Sequence, residues 1–231
     1  MSVSQCVFLV GGLGTRLGDI ARDTPKPMLP VAGRPFIEHL LIKAARNGFD
    51  RALLLAGHSA EVITRYIEGA DLGDRLGMEI VVSVEPRPMG TGGALGHAWD
   101  LLDEAFLLLN GDTWFDFDWR ALANRDGYAG MMALRMVQPA DRYETVALQG
   151  DRVVEIRPRD ATLPTGLING GVCRLERAAI PKTDRAFSLE VELLPALCAT
   201  GKLGGEAFDG AFVDIGVPSS LAAAEYILAS T

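Results

Sequence analysis

The 231-residue sequence has no apolar run long enough to cross a membrane, and it has only three cysteines. The longest apolar runs, such as those of residues 7–10 and 106–109, fall far short of the roughly 18 residues that span a bilayer. The N-terminus also lacks the layout of a signal peptide, so we expect neither membrane insertion nor secretion. Cys6, Cys173 and Cys198 share no metal-ligand spacing and lie in apolar segments, which predicts reduced core thiols. These absences together predict a soluble, cytoplasmic protein.

Charge and glycine are unevenly distributed along the chain. With 22 Lys and Arg against 30 Asp and Glu, the net charge is −8, which argues against a nucleic-acid partner. Residues 1–51 nevertheless hold seven basic and four acidic side chains, so an anionic ligand would favour this segment and a cation would find its ligands beyond it. The 26 glycines collect at a few strand ends rather than in a linker, which indicates backbone that approaches a ligand.

Short apolar segments alternate with amphipathic ones in the first half of the chain. The strand-like segments are Cys6–Val10, Ala52–Ala56, Glu79–Val84 and Phe106–Leu109. Helical spacing of apolar residues occurs over Phe36–Ala44, Ala60–Glu68 and Gly93–Leu102. This β–α alternation predicts a parallel sheet covered on both faces, with ligands bound at the carboxyl ends of the strands.

The pattern changes after about residue 125, where strands follow one another with few helices between them. The strand-like segments are Met131–Val137, Glu144–Leu148, Arg152–Ile156 and Ile168–Leu175, followed by a helix over Leu189–Leu197, a strand ending at Val213 and a helix over Ser219–Ala229. An antiparallel or mixed extension of the first sheet is expected. We therefore predict an α/β, Rossmann-like, doubly wound mixed sheet in one composite domain, 1–231, with a nucleotide-binding half over about 1–125 and a second, site-completing half over about 126–231.

A glycine-rich loop, Gly11-Gly12-Leu13-Gly14-Thr15-Arg16-Leu17, follows the first strand directly. Its glycines allow positive φ angles and let backbone N–H groups point at phosphate oxygens. The dinucleotide fingerprint needs a third glycine where Leu17 stands, and a P-loop needs Gly-Lys-Ser/Thr, so neither motif is present. The loop predicts phosphate or base binding, and a tight strand-to-helix turn is the alternative.

Two cations follow the first strand. Arg16 offers a planar pair of donors and Lys26 a compact point charge, and the three prolines of the segment 25–30 would hold Lys26 in a defined place. A triphosphate is the natural target for this pair. The alternative is that both are solvated surface cations.

Two aspartates, Asp112 and Asp214, each end a predicted strand. Magnesium uses one or two protein carboxylates and completes its octahedron with water and phosphate oxygens, so this pair predicts a Mg²⁺ site. As alternatives, Asp112 is a turn former before Thr113, and Asp214 is a turn or capping residue. Asp118 is expected to cap the helix that begins near Trp119.

Several motifs in order along almost the whole chain resemble the signature of the sugar-1-phosphate nucleotidylyltransferases. The motifs are the segments 9–17, 25–31, Glu85 with 90–93, 109–112, 169–172, 188–190 and 214–218. The sequence is most similar to the bacterial D-glycero-D-manno-heptose 1-phosphate guanylyltransferases, which are also short. This resemblance implies the nucleotide-diphospho-sugar transferase fold.

The resemblance also implies a role for each motif. Residues implied to bind the nucleotide are Gly11, Gly12, Gly14, Thr15, Arg16, Lys26, Glu85, Thr91, Gly92 and Gly93. Residues implied to bind the sugar phosphate are Asn110, Arg157, Asn169, Gly171 and Glu190. Arg16, Lys26 and Asp112 would act in catalysis, and Asp112 with Asp214 would bind Mg²⁺.

The implied reaction joins a nucleoside triphosphate to a sugar 1-phosphate and yields a nucleotide sugar and pyrophosphate. GTP with a heptose 1-phosphate is the expected pair, and mannose-1-phosphate guanylyltransferase and N-acetylmuramate-1-phosphate uridylyltransferase are alternatives. Two departures from the family pattern bear on which base and which sugar are bound. Val10 stands where an alanine is common, and Arg157 stands where many relatives have lysine.

Two other classes of protein stay open at this point. A nicotinamide-dependent oxidoreductase would share the parallel sheet, although the missing third glycine speaks against it. A catalytically silent sugar-nucleotide sensor would bind the same ligands without releasing pyrophosphate. A homo-oligomer is possible in either case.

Overall fold

The computed structural model describes residues 3–12 and 24–229. In its first half the main elements are β1 (Gln5–Leu9), β2 (Pro30–Val31), β3 (Arg34–Pro35), α1 (Phe36–Arg46), β4 (Arg51–Ala56), α2 (Ala60–Gly69), α3 (Leu72–Leu76), β5 (Glu79–Val84), α4 (Gly90–His97), β6 (Ala105–Asn110), β7 (Thr113–Phe115) and α5 (Trp119–Ala123). This order confirms the predicted alternation of strands and helices.

The second half is richer in strands. Its main elements are β8 (Gly130–Val137), β9 (Thr145–Gln149), β10 (Arg152–Arg157), β11 (Gly166–Glu176), α6 (Leu194–Ala199), β12 (Leu203–Ala207), β13 (Phe212–Asp214) and α7 (Pro218–Leu228). The short π-helix Leu189–Leu193 leads directly into α6.

Among the described residues, nine strands form one mixed sheet in the order β5-β4-β1-β6-β11-β8-β12-β10-β9. The first four strands are parallel, and Cys6 on β1 pairs with Ala52 on β4 and with Leu107 on β6. Strand β11 then runs antiparallel to both β6 and β8, and so joins the two halves of the chain. The predicted mixed extension of a parallel sheet is therefore confirmed.

Both faces of the sheet are buried. Phe8 and Leu54 point to the face covered by α1, while their chain neighbours Val7 and Leu53 point to the opposite face, and all four are at most 1% exposed. The apolar stripe of α1 is buried against the first face. Removing one such side chain, as in Leu54→Ala, would cost about 2 to 5 kcal/mol of stability.

Two predicted helices have different bounds in the structure. Helix α4 begins at Gly90 rather than Gly93 and ends at His97, followed by a separate 3-10 turn, Trp99–Leu101. The single helix expected over 189–197 is instead a π-turn followed by α6, which continues to Ala199. The first turn of α4 packs against the segment 185–189.

The described ranges contain no helix with the length and apolar character needed to cross a membrane.

Candidate active site

A cleft of about 530 Å³ opens at the carboxyl ends of the parallel strands β1, β4 and β6. It lies where an open α/β sheet normally binds its ligand, beside the point at which the strand order reverses. The predicted site residues that line it are Gly11, Gly12, Lys26, Glu85, Thr91, Asn110, Asp112 and Glu190. Gly14, Thr15 and Arg16 lie outside the described residues.

The floor of the cleft needs residues without side chains. A Cβ on Gly111 would lie 2.6 Å from the carbonyl oxygen of Leu9, and a Cβ on Gly57 would lie 2.3 Å from Oε1 of Glu85. Both separations are too short for real atoms. Glycine at these two positions therefore leaves room for the neighbouring strand and for the Glu85 carboxylate.

Lys26 and Asp112 meet in the cleft and form an ion pair. Nζ of Lys26 donates to Oδ2 of Asp112 at 2.9 Å, and the lysine is only 8% exposed. The Lys26–Met28 turn follows Pro25, and Pro27 lies within it, which fixes the backbone that carries the lysine. A buried cation is thus held in place before any ligand binds.

Asp112 and Asp214 are brought side by side by a two-stranded antiparallel ladder of β7 and β13. Asp214 pairs with Thr113, and the backbone N–H of Ile215 donates to the carbonyl oxygen of Asp112 at 2.9 Å. Oδ1 of Asp214 also accepts the N–H of Gly216 at 2.7 Å. The convergence that a shared ion requires is therefore present at the level of the backbone.

The same two carboxylates are a plausible set of magnesium ligands. Within residues 3–12 and 24–229, no group of three or more His, Cys, Asp or Glu side chains has the geometry of a metal cage. Mg²⁺ does not need such a cage, because it binds one or two carboxylates and takes its other oxygens from water and phosphate. The donor set fits Mg²⁺.

Glu85 directly follows β5 and lines the cleft. Its Oε2 accepts the backbone N–H of Met89 at 3.0 Å, and its own N–H donates to the carbonyl oxygen of Ala56. These bonds fix the carboxylate group and leave Oε1 beside Gly57.

Thr91 and Glu190 are hydrogen-bonded to each other, although they are 99 positions apart in the chain. The Thr91 hydroxyl donates to Oε2 of Glu190 at 2.6 Å, and Ser188 Oγ donates to the same oxygen at 2.8 Å. The structure therefore joins a residue predicted to bind the nucleotide to one predicted to bind the sugar.

Gly92 and Gly93 are not among the residues that line the cleft, and their predicted contact with base and ribose stays a prediction. Their N–H groups both donate to the carbonyl oxygen of Phe187, at 3.0 and 3.1 Å. A Cβ on Gly92 would lie 2.2 Å from the Phe187 ring, and one on Gly93 would lie 2.8 Å from the carbonyl oxygen of Arg185. These two glycines instead allow the segment 185–187 to pack against α4.

Asn169 and Gly171 are not among the residues that line the cleft. Gly171 has a φ of +76°, accepted readily by glycine, and its N–H donates to Oδ1 of Asn169 at 3.0 Å. A Cβ there would lie 3.2 Å from Nδ2 of Asn110. The irregular pairing between Asn169 and Cys173 therefore brings Gly171 next to Asn110, and the predicted sugar contacts of Asn169 and Gly171 stay predictions.

Arg157 is not part of the cleft lining. It ends β10, its side chain is 55% exposed, and Nε donates to Glu155 Oε2 at 2.8 Å. It pairs with Thr145, which in turn pairs with Ile168 next to Asn169. The residues that line the cleft do not include Arg157. Its predicted contact with a sugar phosphate thus stays a prediction.

The sequence analysis missed two features that shape the site. Ser188 caps the following helical turn by accepting the N–H of Val191, and its bond to Glu190 was not predicted. Gly57 was also missed, although a glycine directly after an apolar strand is the available signal. Lys43, a second buried lysine, is held by Asp116 at 2.6 Å outside the cleft.

The cysteines are not placed as nucleophiles of this cleft. Burial raises the pKa of the Cys6 thiol well above its usual value and raises the pKa of Cys173 to about 12. Cys198 is only half-buried, so the prediction of three core thiols is correct for two of them.

A cleft at the carboxyl ends of parallel strands, with a buried lysine and three carboxylates around it, is typical of an α/β protein that binds a phosphorylated ligand. Residues 5–231 match the family described as Nucleotidyl transferase. The D-glycero-alpha-D-manno-heptose 1-phosphate guanylyltransferase of Campylobacter jejuni is 34% identical over 216 residues, which cover 93% of this chain and 95% of that protein. The protein of the same name from Aneurinibacillus thermoaerophilus is 33% identical, with 93% of this chain and 94% of the relative covered.

A solved structure has the same fold. The crystal structure of HddC from Yersinia pseudotuberculosis complexed with GMP-PN has a TM-score of 0.85 and 28% sequence identity, and the match covers 98% of this chain and 99% of that one. The chain belongs to the nucleotidyl transferase family. The resemblance found in its sequence is confirmed at this level.

Proposed function

We propose that this protein transfers the guanylyl group of GTP to a heptose 1-phosphate and releases pyrophosphate. The observation that carries the proposal is the meeting, in one cleft, of the Lys26–Asp112 pair with Glu85 and Glu190, while the β7–β13 ladder holds Asp214 next to Asp112. Such a cleft offers charge for a triphosphate and fixed acceptors for a base and for sugar hydroxyls. The similar proteins that carry the heptose 1-phosphate guanylyltransferase name support the same choice.

The reaction needs no covalent intermediate with the protein. An oxygen of the sugar phosphate attacks the α-phosphorus of GTP in line, and the bond from that phosphorus to the β-phosphate oxygen breaks. Pyrophosphate leaves with the bonding electrons. Because a sugar phosphate is already ionised at neutral pH, no general base is required, and the buried thiols and histidines need no role.

Lys26 offsets the repulsion between the two anionic substrates. Its ammonium group is nearly excluded from water, and charge interactions are stronger there than at an exposed surface. Arg16 is proposed to act beside it, as the sequence predicts. Asp112 and Asp214 would hold Mg²⁺, which supplies charge neutralisation and orientation to the phosphates when bound.

Glu85 favours guanine among the bases. Its carboxylate can only accept hydrogen bonds, and guanine alone presents two adjacent donors, a ring N–H and an amino group, on one edge. Uracil and thymine present one donor between two acceptors, which a carboxylate would repel. The bond from Met89 N–H to Oε2 keeps the Glu85 side chain in place for this contact.

The sugar is assigned less directly than the base. Glu190 and Asn110 line the cleft and are proposed to accept and donate hydrogen bonds to sugar hydroxyls. Mannose 1-phosphate and N-acetylmuramate 1-phosphate are the competing substrates. The cytoplasm, where nucleoside triphosphates are available, is the proposed location.

A screen for pyrophosphate release tests the proposal. The four common nucleoside triphosphates are each combined with heptose, mannose and N-acetylmuramate 1-phosphates, using wild type and Lys26→Met. We expect the highest rate for GTP with heptose 1-phosphate and loss of that rate in Lys26→Met. Tight binding of nucleotide with no release of pyrophosphate for any pair would favour the silent sensor instead, and a preference for mannose 1-phosphate or UTP would change the substrate.

A further inference from the structure

We propose that Thr91 is a positioning residue for the sugar site, which acts by holding the Glu190 carboxylate, and not a ligand of the nucleotide. The inference rests on the proposed function and assigns to Thr91 a role in the sugar site in place of the nucleotide contact that its motif implies. It follows from the hydrogen bonds that the side chains of Thr91, Ser188 and Glu190 make with one another.

The hydroxyl of Thr91 is already committed to the segment 188–190. It donates its single proton to Oε2 of Glu190 at 2.6 Å and accepts the backbone N–H of Leu189 at 2.9 Å. A hydroxyl has one donor and two acceptor positions, so no proton is left to donate to a nucleotide. Binding a phosphate or a base carbonyl through this hydroxyl would require the bond to Glu190 to break.

Glu190 receives two hydroxyl donors on the same oxygen. Ser188 Oγ donates to Oε2 at 2.8 Å, beside the bond from Thr91. Among the described residues, Oε1 of Glu190 has no hydrogen-bond donor, and the side chain lines the cleft. Two bonds to one oxygen fix the plane of the carboxylate, so Oε1 is presented to the ligand as a single, oriented acceptor.

The backbone around these side chains makes the arrangement rigid. The N–H of Phe187 donates to the carbonyl oxygen of Met89, and the Phe187 carbonyl oxygen accepts the N–H groups of Gly92 and Gly93. The first turn of α4 and the segment that carries Glu190 therefore form one hydrogen-bonded unit. Thr91 is the member of this unit whose side chain reaches Glu190.

A substrate hydroxyl that bonds to a pre-oriented carboxylate loses less freedom than one that must first order the side chain. Loss of the Thr91 hydroxyl should therefore weaken the sugar 1-phosphate and leave the nucleotide almost unaffected. A nucleotide ligand at this position would give the opposite pattern.

The test compares Thr91→Val, which keeps the shape and removes the hydroxyl, with Thr91→Ser, which keeps the hydroxyl. In the full chain, Thr91→Val is expected to raise the KM for sugar 1-phosphate about ten-fold, with the KM for GTP changed less than about two-fold. Thr91→Ser is expected to keep the KM for sugar 1-phosphate close to its wild-type value. An equal rise in both KM values, a rise for GTP alone, or no rescue by serine would overturn the proposal.

Two further variants exclude a general structural effect. Thr64→Val removes a threonine hydroxyl that bonds the Ala60 carbonyl in α2, away from the cleft, and should change neither KM. Ser188→Ala removes the second donor to Oε2 and should raise the same KM as Thr91→Val, so it decides the question if Thr91→Val does not fold.

A double variant tests whether Thr91 acts through Glu190. In a Glu190→Gln background, Thr91→Val should add less than about two-fold to the KM for sugar 1-phosphate, because the group it positions has lost its charge. If the double variant instead raised this KM by the product of the two single effects, the result would contradict the proposal. Calorimetric binding of sugar 1-phosphate gives the same comparison without turnover, so absent pyrophosphate release counts against the proposed function alone.

Discussion

Lys26 and Asp112 are 86 positions apart in the sequence and form an ion pair of 2.9 Å in the cleft. The lysine side chain is 9% exposed and the aspartate side chain 30%, so the pair places a buried cation beside a carboxylate that still reaches the cleft. A triphosphate entering the cleft would meet the ammonium group in its final position. The carboxylate would then be available to a metal ion.

Replacing Lys26 should therefore affect turnover far more than folding. We expect Lys26→Met to lower kcat by about 10²-fold or more, because a charge that stabilises the transferring phosphoryl group is lost. Steady-state pyrophosphate release measures this effect. The sequence-based prediction for Arg16→Ala is a similar loss.

Lys43 provides the matched control for this change. It is also a buried lysine paired with an aspartate, Asp116, but it lies outside the cleft. Lys43→Met should lower thermal stability and leave kcat within about two-fold of wild type. Similar turnover losses in both variants would remove Lys26 from the mechanism.

The second prediction concerns the metal. Activity should vanish with a chelator and return with magnesium, and Asp112→Asn or Asp214→Asn should raise the magnesium concentration needed for half-maximal activity. Titration of pyrophosphate release with Mg²⁺ measures this. Asp116→Asn, at an aspartate bound to Lys43, is the control and should leave the magnesium dependence unchanged.

An Asp214→Asn variant with the magnesium dependence of wild type would contradict a shared site. The ladder between β7 and β13 brings Asp214 opposite Thr113, which directly follows Asp112. The two carboxylates are therefore expected to act on the same ion.

The third prediction concerns the choice of base. Glu85→Gln replaces a pure acceptor by a group with one donor and one acceptor, which suits uracil or thymine better than guanine. We expect the ratio of kcat/KM for GTP to that for UTP to fall by about ten-fold or more. Glu61→Gln, an exposed glutamate on α2, should not change the ratio. An unchanged ratio in Glu85→Gln would show that other groups select the base.

The fourth prediction concerns the thiols. Burial raises the pKa of Cys6 and Cys173, the latter to about 12, so neither should react with iodoacetamide in the folded protein at pH 8. The half-buried Cys198 should react alone, and all three cysteines should react after denaturation. Mass spectrometry of the alkylated peptides identifies the sites. Rapid labelling of Cys6 would contradict the packing of β1.

The parallel half of the sheet and the position of Asp112 at the edge where the cleft opens could be predicted from the sequence. Continuous apolar strands identify β1, β4, β5 and β6, and the carboxyl ends of parallel strands share one edge. Residues that directly follow such strands are therefore neighbours whatever their separation in the chain. This is why the strand-end reasoning succeeded for Asp112.

Strand β12 could not be predicted in the same way. Its sequence, Leu203–Ala207, contains two glycines and has little intrinsic preference for a strand. The strand forms because it pairs with β8. Glycine is needed at position 204 because a Cβ there would lie 2.6 Å from the Tyr128 ring. Long-range packing, which no local sequence pattern shows, makes this segment a strand.

The glycines of α4 show the same limit at the site itself. The motif predicts that Gly92 and Gly93 approach a ligand, and the structure shows that they approach Phe187 and the backbone of Arg185. A glycine indicates a close approach but does not say what approaches. The partner segment lies more than 90 positions away, so only the folded chain identifies it.

The most direct test of the account follows the phosphorus atoms of GTP. Wild-type protein, magnesium and heptose 1-phosphate are incubated with GTP labelled either at the α- or at the γ-phosphate, and the products are separated. Transfer of the α-phosphate to the nucleotide sugar, with the γ-label in pyrophosphate and strict dependence on sugar 1-phosphate, is the predicted result. Release of the γ-label as inorganic phosphate, or bound GTP with no product, would contradict the account.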